Sequence, residues 1–235
     1  MLDIYKGQDP RTVPTFSLRD AAHYLRLPVA TLRSWLAGRE YPTAAGAAVS
    51  RPLILPGSRH PLMLSFLNLV EAHVLAAIRR THGVQMNKVR SALDYVEQRL
   101  TVDHPLARQA FRTDGIDLFV DHMGLLITAS RGGQLAVRQF LEAHLRRVEL
   151  DEAGLARRFF PFTRRGDLAG PMVIVIDPSV FFGRPVVVGT GIPTDVLAER
   201  YFAGETMDEL AKDYGCDRLL IEEAIRCEAE LRRAA

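Results

Sequence analysis

The chain has 235 residues, of which 48% are hydrophobic and 25% charged, and its formal net charge is +2. This ordinary globular composition allows one or two domains, and no apolar run approaches the roughly 18 residues of a membrane span. The N-terminus has no signal-peptide pattern, so we expect a cytoplasmic protein. Cys216 and Cys227 are the only cysteines. They cannot form a four-ligand zinc site alone, so we expect free thiols and no metal or cofactor.

Charge is distributed unevenly along the sequence. Residues 1–60 carry eight Lys or Arg against four Asp or Glu, whereas residues 171–235 carry seven against twelve. A basic N-terminal region suits nucleic acid, because Lys and Arg neutralise phosphates and release counterions. The acidic C-terminal region suits a basic protein partner or is simply a solvated surface.

The stretch from Phe16 to Arg39 predicts two short helices joined by a tight turn. Ser17 is a good N-cap, and Asp20 three residues later completes a capping-box pattern. Pro28 breaks the apolar run, because proline fits the first turn of a helix and not its interior. Gly38 is a natural residue to follow the second helix. The pattern indicates a helix-turn-helix, although an ordinary helical hairpin in a core also fits it.

The second predicted helix would bury Val29, Leu32 and Leu36, with Trp35 beside them, and present small or polar residues outward. Such a face suits the major groove, where hydroxyls bond phosphates or base edges and arginine reaches guanine. The candidate DNA contacts in this stretch are Ser17, Ala30, Thr31, Arg33, Ser34 and Arg39.

The pattern from Ser17 to Trp35, S-x-x-x-A-A-x-Y-L-x-x-P-x-x-T-L-R-x-W, resembles the DNA-binding head of MerR-type transcription regulators. In that family the residues that match Thr31, Leu32 and Arg33, together with the tryptophan, lie on the recognition helix. The resemblance implies that a wing, a core helix and a dimerising helix follow within about the first hundred residues.

Proline and glycine exclude a helix over residues 40–60. We predict one strand over residues 51–56 and a partner strand over 61–64, with a turn between them. This hairpin would be a wing that contacts the DNA backbone through Arg51, Arg59 and His60. A plain surface hairpin explains each of these residues nearly as well.

Two helices are predicted next, one from Ser65 to Gly83 and one from Gln85 to Leu100. The first is apolar around most of its circumference and therefore belongs in a core, where His73 would be buried and hydrogen-bonded. The second has an apolar 3-4 repeat that indicates either a dimerisation seam or a face within a helix bundle. The predicted seam residues are Met86, Val89, Leu93, Val96 and Leu100.

The central region, residues 105–170, is predicted to mix helix and strand. Short apolar runs on either side of Gly124, residues 116–121 and 125–128, predict a hairpin. Residues 134–145 predict an amphipathic helix, residues 146–150 and 158–162 predict strands, and a polar linker follows.

The C-terminal region, residues 171–235, predicts a short β lead-in followed by three capped helices. The helices would run from Pro193 to Ala203, from the capping box Thr206–Glu209 to Tyr214, and onward from the N-cap Asp217. The glycines at 183, 189 and 191 match neither phosphate-binding fingerprint, so nucleotide binding is not expected.

The residues from Pro178 through Gly183-x-Pro185 and Gly189-Thr190-x-Ile192-Pro193-Thr194 to Glu209 resemble the domain of unknown function called "four-three-three". Members of that family are associated with type II toxin–antitoxin systems. The resemblance implies an antitoxin whose partner is a PIN-like ribonuclease toxin. Gly191 stands where members commonly have arginine, so a role for that arginine is not carried over.

The predicted fold class is therefore α+β, mainly α. It comprises a MerR-like winged helix-turn-helix (1–104), a central α/β segment (105–170) and a small homeodomain-like three-helix module with a β lead-in (171–235). The module's candidate partner-binding residues are Arg184, Gly189, Thr190 and Tyr201.

The predicted function is a homodimeric antitoxin that represses its own operon through operator DNA and neutralises a PIN-like ribonuclease toxin. The alternative is a MerR-like regulator that responds to a small-molecule effector without a toxin partner. No nucleophile–base pair, carboxylate cluster or cofactor motif with catalytic spacing occurs in the sequence, so we do not expect an enzyme.

Overall fold

A computed structural model describes residues 5–43, 46–80, 86–126, 131–164 and 166–229. The chain divides into two compact units, residues 1–156 and 157–235, whereas the sequence predicted boundaries near 104 and 170. About half of the described chain is helical and the sheets are small, which confirms the predicted α+β, mainly α, fold class.

The first unit begins with the predicted helix pair, although Val29, which was expected to be buried, is 40% exposed at the first turn of its helix. The first secondary-structure elements are β1 (Phe16–Ser17), α1 (Leu18–Tyr24) and α2 (Val29–Ala37). Ser17 caps α1, since its hydroxyl accepts a hydrogen bond from the backbone nitrogen of Asp20. Gly38 ends α2 with φ +81°, and a Cβ there would lie 2.0 Å from the carbonyl oxygen of Ser50. Only glycine fits this position, so the chain must turn immediately after the second helix.

Two small hairpins follow, and their positions correct the predicted wing. They consist of β2 (Glu40–Thr43) with β3 (Gly46–Val49), and β4 (Ser58–Arg59) with β5 (Leu62–Leu64), which also pairs with β1. Residues 51–56 form no strand, because the Pro52 and Pro56 nitrogens cannot donate to a ladder. Instead, the backbone nitrogens of Leu53 and Ile54 donate to the carbonyl oxygen of Trp35 at 2.7 and 3.2 Å.

Helix α3 (Phe66–Arg80) forms the centre of the first unit, as predicted. Every residue from Phe66 to Ile78 is buried, including Asn68, Glu71 and His73. The ends predicted at Gly83 and Gln85 lie outside the described residues. A helix with no solvent-facing side requires neighbours on all sides, and the following helices supply several of them.

The central region is helical where a hairpin was predicted. Helix α4 (Met86–Leu100) precedes this region. Its own helices are α5 (Ile116–Leu126) and α6 (Arg131–Leu145), with a 3-10 turn at Pro105–Ala107 and a π-helical turn at Phe111–Gly115. The buried residues Ile116, Phe119 and Val120 have helical spacing and belong to one continuous helix. The predicted hairpin was wrong because a short apolar run fits either structure, and residues 127–128 lie outside the described chain.

The apolar repeat of α4 is largely used inside the protomer. Helix α4 packs against α5, and Val89 and Val96 are fully buried there. These two residues are not available for the dimerisation assigned to them, since the 3-4 repeat serves packing within one chain. Met86, Leu93 and Leu100 are half-buried.

The second unit contains the predicted β lead-in and three helices. Its elements are β8 (Ile174–Val175), β9 (Val186–Val187), α7 (Thr194–Phe202), α8 (Met207–Tyr214) and α9 (Arg218–Glu228). Strand β6 (Val148–Leu150) precedes the unit in the chain, and β7 (Ala156–Phe159) includes its first residues. Both predicted caps are present: Thr206 and Glu209 form a capping box, and Asp217 caps α9. Leu210, Ile221 and the buried face of α7 supply the helical core.

A buried carboxylate connects α9 to the segment before β8. Glu223 has no exposed surface, and its oxygens accept hydrogen bonds from the Thr163 hydroxyl and from Arg164 at 2.7 and 2.8 Å. A second buried carboxylate, Glu228, accepts from the hydroxyl of Thr194 at the start of α7. The first interaction fixes the middle of α9 and the second joins its end to the start of α7, positions that the apolar core alone would leave free to slide.

The histidine pair between α3 and α6 predicts a pH-dependent stability. His73 donates to the carbonyl oxygen of His144 at 3.1 Å, and burial followed by the nearby His144 lowers the pKa of His73 to about 3. Below pH ~6.5, His73 binds a proton in the unfolded chain but stays neutral in the folded chain. This one group should therefore lower the free energy of unfolding by up to about 1.4 kcal/mol per pH unit until the pH nears 3.

Urea unfolding between about pH 8 and pH 4 measures this effect. His73→Gln keeps an amide donor and removes the titration, so it should flatten the acid limb of the stability curve. His60→Gln, at an exposed histidine, is the matched control and should leave the curve unchanged. An acid limb of equal slope in His73→Gln and the wild type would contradict this assignment.

Candidate nucleic-acid and partner interfaces

The outer face of α2 presents one arginine among small residues. Ala30 and Arg33 are exposed, whereas Thr31 and Ser34 are half-buried. The Thr31 hydroxyl accepts from Arg79 Nη1 at 2.8 Å, and the Ser34 hydroxyl donates to the Thr31 carbonyl oxygen at 2.7 Å. Thus the two hydroxyls already have protein partners, and Arg33 is the long donor on this face.

Two arginines that the sequence analysis missed lie at the C-terminal end of α3. Arg79 reaches α2 through Thr31, and Arg80 donates to the carbonyl oxygens of Leu25 and Arg26 at 3.1 and 3.3 Å. Neither has an ion-pair partner among the residues that the structure describes. Partial burial, together with Arg26, lowers the pKa of Arg80. A cluster of guanidiniums without carboxylates beside a recognition helix suits DNA phosphates.

Of the remaining predicted DNA contacts, some side chains are exposed and others are already bonded to residues of the protein itself. Arg39 is exposed next to β2, and Arg59 and His60 are exposed at the turn of the β4–β5 hairpin. Arg51 instead pairs with Asp94 and lies 3.6 Å from Glu97, both on α4. Ser17 also has a structural role, because its hydroxyl donates to the Asp20 carboxylate at 2.6 Å as well as capping α1.

In the second unit, the predicted partner-binding residues mostly serve local structure. Arg184 pairs with Asp195 in the first turn of α7. Thr190 closes its own turn, donating to the Val187 carbonyl oxygen and accepting from the Ile192 nitrogen, each at 3.1 Å. Gly189 has a left-handed φ of +77° in that turn. Tyr201 is half-buried, with its ring edge against Phe202.

The turn before Arg184 exposes two consecutive aromatic side chains, which the sequence analysis did not single out. Phe181 is 51% exposed and Phe182 is 54% exposed. Both have left-handed backbone, with φ +46° and +57°, which costs roughly 1–2 kcal/mol per residue. Hydrogen bonds from Gly183 to the Val180 carbonyl oxygen and from Arg184 to that of Phe181 hold this aromatic knuckle, residues 181–184, in place.

Gly191, which departs from the family pattern, also has a left-handed backbone. Its φ is +69°, and a Cβ there would meet no atom within 4 Å. The constraint is therefore conformational and not steric, and an arginine here would be strained.

Two negative findings apply to the described residues. No helix among them is both long and apolar enough to cross a membrane. No group of three or more His, Cys, Asp or Glu side chains in the described ranges could hold a metal ion.

The helix pair with its exposed α2 face defines the class of the first unit, a helix-turn-helix domain. The family model described as "Putative DNA-binding HTH domain" matches residues 14–93, and "Protein of unknown function (DUF433)" matches residues 174–226. The chain is 31% identical over 219 residues to the Mycobacterium tuberculosis protein named "Putative antitoxin VapB45", covering 86% of this chain and 89% of that protein. It belongs to the family of that protein, as an antitoxin-type chain with a helix-turn-helix and a DUF433 domain.

Two further matches to Mycobacterium tuberculosis chains also extend over most of their length. The crystal structure of Rv2018 has a TM-score of 0.66 and 27% identity, and the match covers 91% of this chain and 98% of that chain. "Uncharacterized protein Rv2308" is 28% identical over 206 residues, covering 85% of this chain and 83% of that protein. The architecture is thus shared as a whole.

Arg33 on α2 and Arg79 on the neighbouring end of α3 should affect DNA binding in different ways. Arg33→Ala should weaken binding to the correct DNA site by about 1–3 kcal/mol and relax sequence preference, because base contacts specify. Arg79→Ala should weaken binding to all sequences and reduce the salt slope of log K by about 0.9, since a phosphate contact is lost.

Fluorescence anisotropy with labelled promoter DNA, at several salt concentrations between about 50 and 200 mM, distinguishes the two effects. Arg218→Ala, at an exposed and ion-paired arginine of the second unit, is the control and should change neither quantity. Full affinity and unchanged selectivity in Arg33→Ala would refute its assigned role.

Proposed function

We propose that this protein is a cytoplasmic antitoxin that represses its own operon by binding operator DNA and neutralises a PIN-like ribonuclease toxin by direct contact. The observation that carries this proposal is the pairing of an exposed recognition face with a separate unit that presents the aromatic knuckle. The similarity to "Putative antitoxin VapB45" over 86% of the chain supports it.

DNA binding is assigned to the first unit on the basis of its charge and geometry. Arg33 projects from α2, and Arg79 and Arg80 flank the helix pair with no carboxylate partner among the described residues. Phosphate contacts from the flanking arginines would set the register, and Arg33 would read a base. Arg39, Arg59 and His60 on the hairpins are proposed as additional backbone contacts.

Toxin binding is assigned to the second unit, with the aromatic knuckle as its anchor. Exposed aromatic side chains next to an arginine are typical of the residues that dominate the energy of protein interfaces. A PIN-like ribonuclease holds Mg²⁺ with carboxylates, and Arg184 could exchange Asp195 for such an acidic group. Residues 171–235 carry seven basic against twelve acidic side chains, which suits a basic RNA-binding surface around that site. Gly189, Thr190 and Tyr201 are proposed as neighbouring contacts.

A homodimer is part of the proposal, because two recognition helices on a palindromic site roughly double the contacts. Val89 and Val96 are excluded from its contact by their burial. Met86, Leu93 and Leu100 stay as proposed contributors.

Co-expression with the product of the adjacent reading frame tests the toxin assignment. The neighbour should copurify with this protein and should cleave RNA when it is purified alone. A Phe181→Ala, Phe182→Ala double variant should lose copurification and rescue of growth, because it removes the apolar anchor, while its promoter affinity stays unchanged.

The matched control is Leu219→Ala, which removes an apolar side chain that is 47% exposed on α9 and should preserve the complex. Absence of copurification with wild-type protein, or a neighbour without ribonuclease activity, would favour a regulator without a toxin partner. A double variant that binds the neighbour normally would refute only the knuckle as anchor.

A further inference from the structure

The first unit contains a partly open cavity of about 560 Å³. Its walls come from the 51–57 loop, helices α3 and α4, and the chain around the 3-10 turn 105–107. The walls are apolar where Ile54, Leu93 and Leu106 line them. Cavities of roughly 300–1,000 Å³ that combine apolar walls with a few polar groups are the usual form of small-molecule sites.

One carboxylate of the cavity is buried, and only one of its two oxygens accepts hydrogen bonds from the described residues. The Glu71 side chain is 9% exposed, and its Oε2 accepts hydrogen bonds from His104 Nδ1 at 3.0 Å and Asn68 Nδ2 at 3.3 Å. Its Oε1 accepts no hydrogen bond from the residues within the described ranges. No enclosed side-chain oxygen or nitrogen among the described residues lacks a partner, so this Oε1 is open to the cavity, where it can accept a hydrogen bond from a ligand.

The charge of the lining favours a cation. Five carboxylates line the cavity against three arginines. Arg51 is engaged with Asp94, and Arg108 Nε donates to the Asp103 carbonyl oxygen at 2.6 Å. The Asp103 carboxylate has no ion pair within the described chain. With His104 protonated, the lining still has five carboxylates against four cationic side chains, so its net charge stays negative.

The cavity is connected by hydrogen bonds to the recognition helix. Asn68, which contacts Glu71, also donates from Nδ2 to the carbonyl oxygen of Leu55 at 2.8 Å. The loop that contains Leu55 is bonded to the Trp35 carbonyl oxygen of α2 through the nitrogens of Leu53 and Ile54. A ligand that contacts Glu71 therefore lies on a short chain of interactions that ends at the DNA-reading helix.

We propose that this cavity binds a small amphipathic organic cation, with its ammonium group on Glu71 and its apolar body against Ile54, Leu93 and Leu106. Binding changes the position of the 51–57 loop and thereby the affinity of the first unit for DNA. The site gives the protein a chemical input that is separate from any protein partner.

Three nearly isosteric probes test the ligand class on the full-length protein: 1-adamantanemethylamine, 1-adamantanemethanol and 1-adamantanecarboxylate. Isothermal titration calorimetry should show the amine binding about tenfold more tightly than the alcohol, because only the amine makes a charge-assisted hydrogen bond. The carboxylate should bind most weakly. Equal affinities, preference for the carboxylate, or no binding of the amine at about 1 mM would overturn the proposal.

Variants locate the site. Glu71→Gln should reduce amine affinity to that of the alcohol and leave alcohol affinity unchanged. Glu97→Gln, at a half-exposed acid on the cavity rim, is the control and should not affect either probe. If Glu71→Gln does not fold, Leu93→Trp, which fills the cavity from the half-buried face of α4, should abolish binding of both probes. Unchanged amine binding in the variant that folds would place the site elsewhere and overturn the assignment.

Anisotropy with promoter DNA tests the coupling. Saturating amine should change DNA affinity at least about threefold in the wild type. The Leu93→Trp variant should show no such change. Identical DNA affinity with and without amine, in a protein that binds the amine, would overturn the coupling and leave the binding site standing. If the protein binds no DNA at all, the proposed function fails and the calorimetric result is unaffected.

Discussion

Burial of α3 on every side is the constraint on which the first unit depends. Its residues from Phe66 to Ile78 are all buried, and three of them are polar. A buried polar group must be hydrogen-bonded, so each of the three ties a different element to the helix. Asn68 holds the loop at Leu55, Glu71 holds the turn at His104, and His73 holds α6 through the His144 carbonyl oxygen. These directional contacts specify positions that apolar packing alone would leave interchangeable.

The same helix connects the proposed functions of the first unit. Its C-terminal end places Arg79 and Arg80 against the helix pair, and its middle supplies Glu71 to the cavity. A core element that ends at the DNA-reading face and lines a ligand cavity can transmit a change at one to the other. The proposed partner binding depends instead on local turn structure in the second unit, where the aromatic knuckle is fixed by its own backbone hydrogen bonds.

Local signals in the sequence were sufficient for the helix pair and for the C-terminal helices. Ser17, Thr206 with Glu209, and Asp217 cap the helices as their patterns predict, because capping depends on residues two or three positions apart. The repeat in α4 and the apolar runs in α5 carried no information about partners. The same spacing serves a dimer seam or a bundle face, and a short apolar run serves strand or helix.

The candidate site residues also differ in whether local sequence or long-range contacts determine their position. Exposure of Arg33 follows from helical periodicity and could be predicted. The position of Arg79 beside Thr31 depends on where two distant helices meet, and the exposure of Phe181 and Phe182 depends on a turn whose φ values no pattern specifies. Arg51 was assigned to DNA from its charge and its place in the predicted wing, whereas its actual partners, Asp94 and Glu97, lie more than forty positions along the chain.

The buried Glu223 of α9 has a consequence for where the C-terminal module begins. The DUF433 match covers residues 174–226, yet Thr163 and Arg164, which satisfy this carboxylate, precede it. Phe159 also exchanges two backbone hydrogen bonds with Ile176, at 2.8 and 3.0 Å. A fragment cut at the family boundary would keep the acid and lose these two donors, leaving Arg226 3.7 Å from Glu223. The compact unit of residues 157–235 is thus longer than the recurring sequence pattern, and its N-terminal segment supplies hydrogen bonds to a buried acid of its last helix.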